Sequence, residues 1–103
     1  MYLLNAFSAN MLAEFPVSVR FTEISATTMA ELAQESVSAV GHADTAALFS
    51  AILGIEVPCN GVSVTLKSGE SALLGQYTGP RLPEGATTLP EGASIKWVLV
   101  NVF

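Results

Sequence analysis

His42 is the only histidine in the sequence, and it stands in Gly41-His42-Ala43-Asp44-Thr45. Asp44 and Thr45 are residues that start helices, and Gly54, after the apolar run Ala46–Leu53, is one that stops them. This pattern predicts a helix from Asp44 to Leu53, with His42 beside its N-terminus. A helix N-terminus carries unpaired N–H groups and a partial positive charge, so it attracts phosphate and other anions. An imidazole changes charge near neutral pH, and next to an anion it can act as acid or base. The alternative is a surface or capping histidine, and this stretch alone does not choose between the two.

Other residues suited to ligand contact gather at element ends. Asn5, Ser8 and Asn10 follow the short apolar run Tyr2–Leu4, where a strand should give way to a helix. In open α/β sheets ligands bind beyond the carboxyl ends of strands, which is this kind of place. Backbone capping is the alternative role for all three. Arg81 lies in Thr78-Gly79-Pro80-Arg81-Leu82-Pro83-Glu84-Gly85, a stretch of loop chemistry. A connection as long as 78–94 is often functional, and its Pro83-Glu84-Gly85 recurs as Pro90-Glu91-Gly92.

The elements that must position these residues follow from periodicity. Tyr2–Leu4 reads as a buried strand. Met11, Leu12 and Phe15 have helical spacing and predict a short helix stopped by Pro16. Val17–Ile24 alternates with Val17, Val19 and Phe21 on one face, as a half-buried strand does. Thr28-Met29-Ala30-Glu31 fits a capping box and predicts a helix from Thr28 to about Gln34 or Ser36. Ser36–Val40 fits either an extension of that helix or a short strand. In the central helix Leu48, Phe49 and Ile52 share an apolar face. Val62–Lys67 alternates with Val62, Val64 and Leu66 inward, and Ser68-Gly69-Glu70 predicts a hairpin into a strand over 71–77. Ile95–Phe103 is apolar on both faces and should be a central strand or lie at an oligomer interface. The fold class expected is α+β: a mixed sheet of about five strands with about three helices packed on it. No repeat of solenoid period is present.

Composition bounds the function. At 103 residues the chain is one domain, residues 1–103, at a size where roughly 60–70% of the unfolded surface can be buried. Half of it is hydrophobic and only 13% is charged, which excludes disorder and suggests a surface covered by a second copy. The net charge is −5, and the four basic residues Arg20, Lys67, Arg81 and Lys96 form no run, so duplex nucleic acid is not an expected partner. The lone Cys59 cannot form an internal disulfide, and with a single histidine it cannot build a common zinc site. A reducing cytoplasm is the expected compartment. Met1–Asn5 does not read as a signal peptide, and no apolar run approaches the ~20 residues that span a bilayer.

Three segments together carry a resemblance: Asn5-Ala6-Phe7-Ser8-Ala9-Asn10-Met11-Leu12 with Glu14-Phe15-Pro16; Val40-Gly41-His42-Ala43-Asp44-Thr45 with Leu48 and Gly54; and Arg81-Leu82-Pro83-Glu84-Gly85. In this order and spacing the chain resembles the viral ring nucleases, a family of type III anti-CRISPR proteins. The resemblance implies a small mixed-sheet fold that dimerises. It also implies binding of cyclic tetra-adenylate at the homodimer interface and its cleavage to linear di-adenylate ending in 2′,3′-cyclic phosphate, with no metal or cofactor. His42 is then the implied general acid. Arg81 and the first turn at Asp44 and Thr45 are implied phosphate contacts, and Asn5, Ser8 and Asn10 contacts to ribose or phosphate. Glu84 matches an acidic position of the family and would steady His42 or the 2′-hydroxyl. The chain departs from the family pattern at Ala43, which separates His42 from its acidic neighbour, and at Gly61, where a basic residue is usual. The other readings are a protein that only sequesters a cyclic oligonucleotide, and a viral accessory protein with no nucleotide ligand.

Overall fold

The computed structural model describes all residues of the chain, 1–103. In order, the elements are β1 (Tyr2–Leu4), a 3-10 turn (Ala9–Met11), β2 (Val19–Ile24), α1 (Ala26–Ala33), β3 (Val37–Ser38), α2 (Ala43–Leu53), β4 (Ser71–Thr78) and β5 (Ser94–Val102). The strands form one mixed five-stranded sheet in the order β2-β5-β4-β1-β3. β1 runs parallel to both β3 and β4, while β5 is antiparallel to β2 and β4. The architecture is the expected α+β mixed sheet, with two α-helices and a 3-10 turn. β5 lies inside the sheet, as its two-sided apolar sequence requires.

Alternation along each strand separates two apolar layers. On one face Leu3, Leu73 and Trp97 meet Met29 and Ala33 of α1 and Phe49 and Leu53 of α2. On the other, Leu4, Ala72, Leu74, Val100 and Val102 are covered by Val64 and Leu66 and by the half-buried Phe7, Met11, Leu12 and Val17. α2 rests on the sheet at Gly75. A Cβ there would lie 2.5 Å from Phe49 Cζ and 2.6 Å from Trp97 Cζ3, so only a residue without a side chain lets these rings close over the strand. Phe49 and Trp97 pack edge to face, with ring centres 4.9 Å apart. α2 ends at Gly54, which takes φ 69 and donates its N–H to the Ser50 carbonyl.

Four local expectations are corrected. The stretch around Met11, Leu12 and Phe15 makes only the 3-10 turn, because Leu12 leaves helical geometry (φ −83, ψ 129) and bridges to Leu66. α1 starts three residues earlier than its apparent capping box: Ser25, not Thr28, is the N-cap, and its Oγ accepts the Thr28 N–H at 3.1 Å. Met29 and Ala33, four apart, face the core. Val62–Lys67 is not a strand. Val64 and Leu66 are buried as predicted, but Val62 is 44% exposed, and Leu66 makes a single isolated bridge. The segment crosses the sheet face instead of joining an edge, so no hairpin links it to β4, and Glu70 caps the bend by accepting the Lys67 N–H. The place of that strand is taken by β3, which resolves the ambiguity over 36–40. Finally, β2 is an edge strand more open than half-buried, with Phe21 54% exposed.

Candidate functional site

The parallel strands β1, β3 and β4 all end on one rim of the sheet, and each leads into candidate site residues. After β3 the chain is held rigidly. Buried Ser38 donates its hydroxyl to the Pro58 carbonyl at 2.6 Å and accepts the Val40 N–H at 3.2 Å. Asn60 donates its amide to the Ser38 carbonyl at 2.7 Å and its backbone N–H to the Val40 carbonyl at 2.8 Å. Asn5, one residue past β1, accepts the Gly41 N–H on Oδ1 at 3.4 Å. Gly41, the residue before His42, is thus tied to the end of β1.

The helix begins at Ala43, one residue earlier than predicted, so His42 is itself the N-cap residue (φ −121, ψ 127). Its side chain makes no capping bond. It is exposed, and the imidazole is left to face the surroundings. The first helical bond runs from the Ala46 N–H to the His42 carbonyl at 2.9 Å, so the N–H groups of Ala43, Asp44 and Thr45 precede the helical ladder. α1 differs, because Ser25 caps it. Asp44 lies in the first turn of α2, where its carboxylate favours the helix and offsets part of the positive end.

In front of this helix end is an open cleft of about 370 Å³, lined by His42, Asp44, Thr45, Tyr77, Arg81 and Leu82. Four of the sequence-predicted residues, His42, Asp44, Thr45 and Arg81, therefore share one wall system although Arg81 is far away in sequence. Arg81 is the only basic side chain lining it, and its forked donors suit an oxyanion. The arrangement offers an anion three kinds of partner: backbone N–H groups, a guanidinium and an imidazole able to move a proton.

The other predicted residues lie elsewhere in a single chain. Asn5 supports the cleft through Gly41 and does not line it. Ser8 is the N-cap of the 3-10 turn, its Oγ accepting the Asn10 N–H at 3.1 Å, and both are exposed. Glu84 is exposed in the turn closed by the Ala86 N–H on the Pro83 carbonyl, outside the cleft lining. Tyr77 was missed by sequence reasoning. Strand parity places it: Leu73 and Gly75 face the helices, so Tyr77 at the end of β4 must do so as well.

No curated protein matches the chain. Among solved structures, B116 of Sulfolobus turreted icosahedral virus superposes with a TM-score of 0.82 at 29% sequence identity, over 97% of this chain and 97% of that one. The STIV B116-like family model matches residues 1–96. With nearly its whole length matched, the chain belongs to the STIV B116-like family, named for a viral protein.

Proposed function

We propose that this protein is a metal-independent ring nuclease: as a homodimer it binds cyclic tetra-adenylate and cuts it to linear di-adenylate with 2′,3′-cyclic phosphate ends, countering type III CRISPR signalling. The observation that carries this reading is the convergence of His42 and Arg81 on one cleft at the uncapped start of α2. A cyclic phosphodiester supplies its own nucleophile. The ribose 2′-oxygen attacks the neighbouring phosphorus, the bond to the 5′-oxygen breaks, and the 2′-hydroxyl proton is released to solvent, with Glu84 the candidate to steady His42 or that hydroxyl. The protein's tasks are to hold the hydroxyl in line, to stabilise charge on the phosphorane and to protonate the leaving oxygen. Ala43, Asp44 and Thr45 N–H groups with Arg81 suit the second task, and the free imidazole of His42 suits the third.

A ring with twofold symmetry matches a twofold dimer, in which two copies of His42 face opposite phosphates. Ser8, Asn10 and Glu84, which lie off the cleft of one chain, would join the ligand from the dimer. On the sheet face opposite the helices, Phe7, Phe21, Leu74 and Val98 line a separate depression of about 330 Å³ together with Gln76 and Lys96. Phe7 and Phe21 there pack edge to face at 5.3 Å.

The test is a single-turnover incubation with cyclic tetra-adenylate in EDTA, wild type beside His42→Ala, with products read by mass spectrometry. The wild type should yield linear di-adenylate with cyclic phosphate ends, and His42→Ala should be slower by about 10²-fold or more, the usual scale of general-acid catalysis. An intact ring at stoichiometric protein refutes the enzyme. If that intact ring still raises the melting temperature, the protein is a sequestering binder.

A further inference from the structure

Arg81 sits at the start of a long loop, residues 79–93, between β4 and β5, and something must hold it against the cleft. The last paired residues are Thr78 and Ser94. Beyond them Gly79 takes φ +151, and a Cβ at this position would lie 2.7 Å from Ala93 Cβ and 2.8 Å from Ala93 Cα. Only glycine fits, so the two sides of the stem meet closely. The cost is freedom: rotation about Gly79 would swing Pro80 and Arg81 away from α2. One bond opposes that swing. The Tyr77 phenol donates to the Pro80 carbonyl, and it also lies over Gly79, 3.2 Å from the position of the missing Cβ.

We propose that Tyr77 is a positioning residue, which sets Arg81 at the cleft by holding the Pro80 carbonyl. The Pro80 carbonyl and the Arg81 N–H belong to one planar peptide unit. Fixing its oxygen fixes the direction in which Arg81 leaves the stem. Tyr77 is anchored within β4, and its half-buried side chain lines the same cleft as His42 and Arg81. The phenol therefore ties the loop to the sheet beside the helix that carries His42. The tether stands on geometry alone, while the anion that Arg81 meets rests on the reading given above.

Tyr77→Phe removes the hydroxyl and keeps the ring. Trypsin probes the tether without any ligand, because it can cut between Arg81 and Leu82. The fragments 1–81 and 82–103 are read by mass spectrometry under native conditions. Cutting should be about two- to tenfold faster in Tyr77→Phe, the range expected for the loss of one hydrogen bond that closes the loop. An unchanged rate overturns the tether. The second arm measures the dissociation constant of cyclic tetra-adenylate for wild type, Tyr77→Phe, Arg81→Ala and the double variant. Tyr77→Phe should weaken binding by about two- to tenfold when Arg81 is present and have no effect when it is absent. Equal losses in both backgrounds overturn the positioning role and make Tyr77 a direct wall of the site. A wild type that does not bind the ring refutes the ring-nuclease reading, and the cutting rate still decides the tether.

Discussion

Replacing Gly75 by alanine adds one methyl group where α2 rests on the sheet. The new carbon would lie 2.5 and 2.7 Å from Phe49 Cζ and Cε2 and 2.6 Å from Trp97 Cζ3. Carbon atoms in contact sit about 3.5–4.0 Å apart, so both rings must retreat by roughly 1 Å. Neither has room. Phe49 is 0% and Trp97 6% exposed, and each blocks the other through their edge-to-face contact. Overpacking of this kind costs about 1–3 kcal/mol. Replacing a strand glycine recovers about 0.5–1 kcal/mol of backbone entropy. With two rigid aromatic rings displaced, the cost falls at the upper end, for a net loss of about 2 kcal/mol and a fall in Tm of roughly 8–16 °C. Urea denaturation followed by tryptophan fluorescence measures it directly, since Trp97 is the only tryptophan and lies at the contact. Phe49→Leu in the Gly75→Ala background should restore part of the loss, because a smaller side chain vacates the crowded space. A Gly75→Ala protein as stable as wild type, or costs that simply add in the double variant, would refute the packing of α2 on β4.

Two further outcomes follow from the hydrogen bonds near the site and at α1. Ser38→Ala leaves the buried Val40 N–H and the Pro58 carbonyl without their partner and should cost about 1–3 kcal/mol in denaturant titration, with ring cleavage falling in parallel as the approach to His42 loosens. Ser25→Ala should cost about 1 kcal/mol while Thr28→Ala costs less, because Ser25 is the cap; the reverse order would restore the later helix start that the sequence suggests.

The elements with one dominant signal were legible in the sequence. β1, β4 and β5 stand where apolar runs predict them, and α2 ends at Gly54 as its pattern requires. The errors have a common physical origin in tertiary choice between local options. Ser25 and Thr28 are both competent caps, and Ser25 takes the role, its Oγ accepting the Thr28 N–H. The alternation of Val64 and Leu66 reports burial truthfully, but burial on a sheet face does not require pairing in a ladder. Met11 and Leu12 are apolar because they cover the sheet as well, which periodicity alone reads as a helix. At the site, His42, Asp44, Thr45 and Arg81 were found by residue type beside helix and loop signals. Tyr77 carried no such signal, because its role depends on which end of which strand faces α2. Ser8 was legible only as one of two alternatives, and within a single chain it takes the capping one.

The sheet order has a consequence for how the molecule assembles. β1 is formed by residues near the start of the chain, yet it lies between β3 and β4, and its partner β4 begins only at Ser71. β4 in turn needs β5, whose last pair joins Val19 to Val102. The earliest strand is therefore a keystone that cannot be locked until the latest one arrives. Such non-local closure defers the reward for chain ordering and makes folding slow relative to a helical protein of this size. The rim that carries Asn5, His42 and Tyr77 is built from the ends of β1 and β4 and the exit of β3, so the cleft comes into being only in this final step. A nascent chain that lacks β5 carries every cleft-lining residue from His42 to Leu82, without the strand that pairs β4 along its whole length.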